Sequence, residues 1–199
     1  MAEVNDLLQV VLKTPPAAYH SYAAVFEHHL HLNPHTITTA QLRDCAATHS
    51  LIVSDTLRDD RDAWLTLLWS HLIEPQLGIG GRPMFVFDYP VSQAMLACVR
   101  PGSPAIAERF EVYIEGVELA NGFQELADSA EQLRRFEENC RRRHEAGLVE
   151  MSLDERLMAA LAHGLPFCSG VALGVDRLLM LKIGENDLDK VLAFPFERA

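Results

Sequence analysis

Glu111 and Glu118 stand seven positions apart in a stretch, Glu108 to Phe123, that alternates polar and apolar on both sides of Glu115-Gly116. Period-two alternation about a short break predicts an antiparallel hairpin. If Ile114 pairs with Val117, Tyr113 faces Glu118 and Glu111 faces Ala120. Phe110, Val112, Ile114, Val117 and Leu119 then share the core face, and Glu111, Tyr113 and Glu118 share the other. Diagonal cross-strand neighbours lie about 7–8 Å apart at the backbone. Two carboxylates so placed suit a divalent cation that bridges phosphate oxygens; they equally suit a solvated acidic sheet face. Glu-Gly matches neither favoured two-residue hairpin turn, so the register rests on the alternation alone.

A second stretch, Cys168 to Arg177, reads as a buried strand to Leu173, a break at Gly174, and a helix from Val175 with Leu178, Leu179 and Ile183 at helical spacing. The free N–H groups of a helix N-terminus attract anions. Arg177 in that first turn suits a guanidinium projecting past the terminus to grip a phosphate. The same pattern also suits an ordinary strand-to-helix turn with a surface Asp176/Arg177 pair.

The elements that must position these residues follow from the rest of the chain. Glu3 to Lys13 is amphipathic, Tyr22 to Leu30 reads as a short helix, and Thr38-x-x-Gln41 is a capping box opening a helix to Thr48. Asp59 to Leu72 is helical, with Trp64 and Trp69 as core residues. Glu74 to Pro83, carrying Pro75, Gly78, Gly80 and Gly81, is a loop. Met84 to Pro90 is a buried strand. Asp128-x-x-Glu131 caps a helix from Ser129 to Glu145 with Leu133, Phe136 and Cys140 inward and Arg134, Arg135 and Arg141 to Arg143 outward. Ser152-x-x-Glu155 opens a further helix. Residues 1–80 are thus mostly helical and 81–199 mixed, an α+β chain with no repeats.

Composition narrows the function classes. The 199 residues, 49% hydrophobic, are enough for one sizeable core. A formal net charge of −11 disfavours a broad phosphate-backbone surface but not a local nucleotide site. Cys45, Cys98, Cys140 and Cys168 form no CxxC pair, which fits a cytoplasmic protein with free thiols. The histidines His28, His29, His31 and His35 lack a recognisable metal-ligand spacing and read as surface residues. No apolar run reaches membrane-spanning length.

Arg109-Phe110-Glu111, Glu118-Leu119-Ala120-Asn121-Gly122-Phe123-x-Glu125-Leu126 and Gly170-Val171-Ala172-Leu173-Gly174-Val175-Asp176-Arg177 together resemble the C-terminal half of a class II lysyl-tRNA synthetase catalytic core. Within that family the stand-alone branch, which attaches (R)-β-lysine to elongation factor P, is the more similar. The resemblance implies an antiparallel six- or seven-stranded sheet flanked by helices, part of a class II aminoacyl-tRNA synthetase core. It also implies an ATP-dependent ligase that activates lysine or (R)-β-lysine as an adenylate. By position, Arg177 holds the ATP γ-phosphate with Gly174 beside the nucleotide, Glu118 and Leu119 line the ATP site, and Glu111 with Glu118 hold Mg²⁺. Asn121, Phe123 and Glu125 form the amino-acid pocket. Ala172 replaces the glycine characteristic of lysyl-tRNA synthetases. Elongation factor P is the implied acceptor, tRNA the less favoured one, and a homodimer the assembly of the full-length family.

The first and second signature motifs of that family do not occur in these residues. The expectation is a C-terminal portion, 1–199, of a synthetase catalytic domain, or else a truncated paralogue that only binds a nucleotide or a partner. The chain alone is expected to form adenylate poorly, and its sheet to present an uncovered edge.

Overall fold

The sheet is built from β1 (Ala18–Ser21), β2 (Met84–Pro90), β3 (Val99–Arg100), β4 (Ile106–Ile114), β5 (Val117–Gln124) and β6 (Ser169–Leu173), in a computed structural model that describes residues 1–53, 57, 59–149 and 151–198. Its spatial order is β1-β2-β4-β5-β6, with β3 pairing the start of β4. Helices α1 (Ala2–Leu12), α2 (Tyr22–Leu30), α3 (Thr39–Thr48), α4 (Arg61–Leu68), α5 (Ser129–Glu145), α6 (Glu155–His163) and α7 (Val175–Ile183) flank it. The expected α+β architecture is therefore present, a mostly antiparallel sheet with helices around it.

Two features correct the sequence reading. Ala18–Ser21 is a strand inside the supposedly helical first 80 residues, and it pairs in parallel with β2, Ala18 opposite Met84 and Ser21 opposite Phe87. Four residues of mixed polarity carry too little periodicity to announce a strand; the distant partner supplies its hydrogen bonds. Second, Ser169–Leu173 is an edge strand, with Ser169, Val171 and Ala172 exposed, where a buried one was expected. An apolar run cannot distinguish a buried strand from an edge strand, because sheet order is set by pairing.

Both faces of the sheet are packed. On one, Tyr22, Phe26, Leu42, Leu65, Leu68, Trp69 and Ile73 from the helical region enclose Val86, Tyr89 and Tyr113. On the other, Val4 and Leu8, one helical turn apart on α1, meet Phe85, Val112, Ile114, Leu119 and Leu178. Each fully buried aliphatic or aromatic side chain contributes about 1.5–3 kcal/mol. Lys182 Nζ donates to the Val11 carbonyl at 2.7 Å, placing a cation at the C-terminal end of α1 and tying α7 to it.

Helix starts follow local chemistry. Thr38 and Gln41 form the reciprocal capping box, and Asp128 accepts from the Ala130 and Glu131 amides. The cap of α6 is Asp154, whose carboxylate accepts from Arg156 and Leu157, so the helix starts two residues after the expected Ser152. The helix expected over 59–72 is α4 from Arg61 to Leu68, continued by a π turn over Trp69–Ile73. Arg135, expected on the solvated face of α5, instead donates to the carbonyls of Met95 and Ala97 and to Glu131.

Candidate active site

The β4–β5 hairpin has the predicted end register, Ile114 opposite Val117 and Tyr113 opposite Glu118. Glu115 and Gly116 both adopt positive φ, 50° and 71°, which is the backbone of a two-residue type I′ turn. Glu115 tolerates this conformation because neighbours hold it. Its amide donates to Gly78 O at 3.0 Å, and its carboxylate accepts from Gly81 N at 2.6 Å. Gly78 is itself at φ 68°, and a Cβ there would meet Ile114 Cα at 2.7 Å. The glycine loop thereby lies directly against the hairpin end.

One residue further the register departs from simple alternation. Val112 pairs with Ala120, leaving Leu119 as an extra residue, so Glu111 faces Asn121 rather than Ala120. The bulge keeps Leu119 in the core, 2% exposed, and its backbone carbonyl accepts Gly174 N at 2.8 Å. What Leu119 presents toward Gly174 is main chain.

Glu111 is 6% exposed and is the hub of a hydrogen-bond network. Oε1 accepts from Arg109 Nη2 and, at 3.4 Å, from Asn121 Nδ2; Oε2 accepts from Tyr113 Oη and, at 2.6 Å, from Tyr89 Oη. Tyr113 Oη in turn accepts from Trp69 Nε1 at 3.1 Å. The Arg109 guanidinium stacks over the Tyr89 ring, 4.6 Å from its centroid. Burial, then the Glu111 charge, raises both tyrosine hydroxyls, so they remain protonated donors. Tyr89 reaches this face because Asp88, at φ 58°, sits where the β2–β4 register shifts. None of Trp69, Tyr89 and Tyr113 was predicted as a site residue. Their spacing in sequence carries no signal of convergence.

Arg177 does not project freely beyond the helix. Its Nη1 donates to the Glu118 carbonyl at 2.7 Å and lies 3.9 Å from Glu118 Oε2, with its side chain 49% exposed. Gly174 is the N-terminal cap residue of α7 at φ −76°, and a Cβ there would sit 3.4 Å from Arg177 Cδ. The position keeps the arginine stem close without needing a left-handed backbone. Burial, then the charge of Glu111, raises the Glu118 carboxyl, and Arg177 opposes the shift. Glu74 belongs to the same field. Burial, then Glu111, raises its carboxyl, and Arg177 lowers it. The glycine loop carries Glu74 there, and only its contact with the hairpin reveals it.

Asn121, Phe123 and Glu125 alternate along β5 and its extension, and β6 runs beside them with Ala172 opposite Asn121 and Gly170 opposite Phe123. Glu111, Asn121 and Ala172 consequently lie in one row across three strands. Asn121 Oδ1 is buried and has no hydrogen-bond partner among the described residues. Burial raises the Glu125 carboxyl. An unpartnered amide oxygen and a carboxylate on one face are acceptors for an ammonium group. The sequence-predicted residues thus form two adjoining groups, Arg177–Glu118–Gly174 at the α7 end and Asn121–Phe123–Glu125–Ala172 along β5 and β6. A cavity of about 750 Å³ beneath α5 contains none of them, and its Arg134, Arg135 and Arg142 are paired with Glu131 and Glu138.

The donor set allows a test for a magnesium ion. Both Glu111 oxygens are already engaged, whereas the Glu118 carboxylate has the Arg177 guanidinium 3.9 Å away and is crowded by like charge. No group of three or more His, Cys, Asp or Glu side chains converges as a cage among the described residues. Magnesium commonly takes one or two carboxylates and completes its shell with water and substrate phosphates, so Glu118, with Glu111 behind it, fits an ion that arrives with a nucleotide.

The sheet with its strand–glycine–helix end agrees with a family match over residues 76–198, to the tRNA synthetases class II (D, K and N). The chain belongs to that family. It is 47% identical over its whole length to the elongation factor P–(R)-β-lysine ligase of Hamiltonella defensa, covering 61% of that relative. The enzymes of the same name from Klebsiella pneumoniae and Salmonella paratyphi B are each 48% identical, over 99% and 100% of the chain and 60% and 61% of their own lengths. The chain thus spans about three fifths of the length of these curated relatives. Among the described residues no helix is long and apolar enough to cross a membrane.

Proposed function

We propose that these residues form the nucleotide-phosphate and amino-acid walls of a cytoplasmic ligase that activates (R)-β-lysine, or lysine, with ATP and transfers it to a lysine of elongation factor P. The observation that carries this reading is the β5–β6 face, where unpartnered Asn121 Oδ1 and the Glu125 carboxylate flank Ala172. Two acceptors on a small patch suit a substrate with two ammonium groups and leave its carboxylate for the reaction. The activity named for these relatives supports the same substrate and acceptor.

Arg177 then neutralises the γ-phosphate after leaving the Glu118 carbonyl, and Glu118, with Glu111 behind it, would hold Mg²⁺. Bound with ATP, that ion would screen the triphosphate against the approaching carboxylate. The Glu111 network keeps the floor of the site fixed: a carboxylate held by Arg109, Tyr89, Tyr113 and Asn121 cannot swing into the nucleotide space. The substrate carboxylate attacks the α-phosphorus, pyrophosphate leaves, and the acceptor amine later takes the acyl group with release of AMP. No side-chain nucleophile takes part; catalysis is positioning and electrostatics. A net charge of −11 makes a protein acceptor the better fit than tRNA, and the assembled enzyme is read as a homodimer.

The test is adenylate formation by this protein with (R)-β-lysine and with lysine, followed by mass measurement of elongation factor P. A mass gain of one lysyl residue on the factor is expected. Transfer to tRNA alone would reassign the acceptor.

A further inference from the structure

Gly170 is the second residue of the edge strand β6, at ordinary strand geometry, where any side chain would suit the backbone. Its φ is not among the positive glycine angles of the chain, so no left-handed turn requires it. What requires it is Glu125. A Cβ built on Gly170 would land on Glu125 Oε1, with the carboxyl carbon 3.2 Å and Cγ 3.7 Å away. The carboxylate is therefore folded flat over the strand at the one position where β6 has no side chain.

The backbone of Glu125 has no freedom to compensate. On one side its amide donates to Cys168 O at 3.0 Å, and the Gln124 side chain ties Cys168 O and Ser169 Oγ. On the other side Cys98 N donates to Gln124 O at 2.8 Å and Leu126 N to Leu96 O at 2.9 Å, and Cys98 Sγ contacts Glu125 O. That flanking segment is held from behind by Arg135, which binds the carbonyls of Met95 and Ala97. With the main chain clamped on both sides, only the side-chain torsions of Glu125 can answer a change at residue 170.

We infer that Gly170 is a positioning residue that acts through Glu125: its missing side chain is the seat that holds the Glu125 carboxylate in reach of a substrate ammonium. This rests on the amino-acid site proposed above. The atom that a methyl group would displace is the far end of a flexible side chain, so Gly170→Ala leaves the fold intact and moves the carboxylate. Asn121 and Ala172, one row along on the same two strands, keep their places. The nucleotide end at Arg177 and Glu118 is untouched.

The experiment is calorimetric titration of the 199-residue chain with (R)-β-lysine, lysine and, separately, ATP with Mg²⁺. The proteins are wild type, Gly170→Ala, Glu125→Asp and the double variant, each with a thermal melt. Gly170→Ala should weaken binding of the diamino acids tenfold or more, leave ATP affinity within twofold and leave the melt unchanged. Glu125→Asp, whose shorter carboxylate falls short of the seat, should also weaken binding. In the double variant the aspartate clears the new methyl group, so the second substitution should cost less than it does alone. A Gly170→Ala chain that binds the diamino acids like wild type, or that no longer folds, overturns the inference while leaving the amino-acid site standing. Wild-type protein that binds ATP but neither diamino acid overturns both.

Discussion

Arg177 donates from Nη1 to the backbone carbonyl of Glu118, 59 residues earlier in the chain, and its guanidinium also stands 3.9 Å from that residue's carboxylate. One cation thus tethers the start of α7 to β5 and offsets the charge that Glu111 and Glu74 impose on Glu118. On the proposed reading, an incoming phosphate draws the arginine away from a neutral carbonyl, a weak partner beside a triphosphate.

Removing that cation should therefore be felt in nucleotide binding first. Arg177→Ala is expected to lower ATP affinity by at least tenfold, and Arg177→Lys should recover only part of it because an ammonium lacks the planar fork. Titration calorimetry with ATP and Mg²⁺ checks this. Unchanged affinity in Arg177→Ala would remove the arginine from the phosphate site.

The Glu111 network yields a stability ordering. Tyr113 Oη both donates to Glu111 and accepts from Trp69 Nε1, whereas Tyr89 Oη only donates to Glu111. Tyr113→Phe leaves the buried Trp69 Nε1 without a partner, whereas in either variant Glu111 Oε2 keeps the other tyrosine hydroxyl. An unsatisfied buried group costs about 1–3 kcal/mol, so Tyr113→Phe should be the more destabilising. Denaturant midpoints of the two variants decide it, and the reverse ordering would contradict the network.

The pH dependence has a definite sign. The folded state raises the Glu118 carboxyl above its ordinary 4.5, so its contribution to stability is fully present below that value and is lost as pH rises through the folded value. Glu118→Gln removes this dependence. Stability of the variant relative to wild type should rise with pH from about 4.5 upward and then level off, in the absence of divalent cation. Thermal melts of both proteins across that range give the difference curve. A flat curve would mean that Glu118 feels no net repulsion.

Substrate choice is tested at Ala172. Its partner across the strands is Asn121, so its methyl group borders the row that carries the unpartnered amide oxygen. One methyl group in a substrate pocket changes discrimination by about 1–3 kcal/mol. Ala172→Gly should shift adenylate formation toward lysine and away from (R)-β-lysine, measured with both isomers in wild type and variant. Equal preference in wild type and variant would place the discrimination elsewhere.

What the sequence determined by itself is local. The alternation about Glu115-Gly116 located the hairpin and its end register. Thr38 with Gln41, and Asp128, marked two helix starts. The strand–glycine–helix pattern located the edge strand and α7, and the motif residues identified the family. These signals work because turns, caps and periodicity are settled by neighbours a few residues apart. The tertiary structure decided the rest through contacts between distant segments. The bulge at Leu119 moved Glu111 from Ala120 to Asn121, since one extra residue exchanges the faces of everything beyond it. Ala18–Ser21 became a strand only because β2 offered it a parallel partner. Trp69, Tyr89 and Tyr113 became one network, and Glu74 joined Glu118, because sheet packing and the glycine loop brought them together. Gly170 and Glu125, 45 positions apart, show the same division: the residue types were visible in the chain, but the seat exists only where two strands pair.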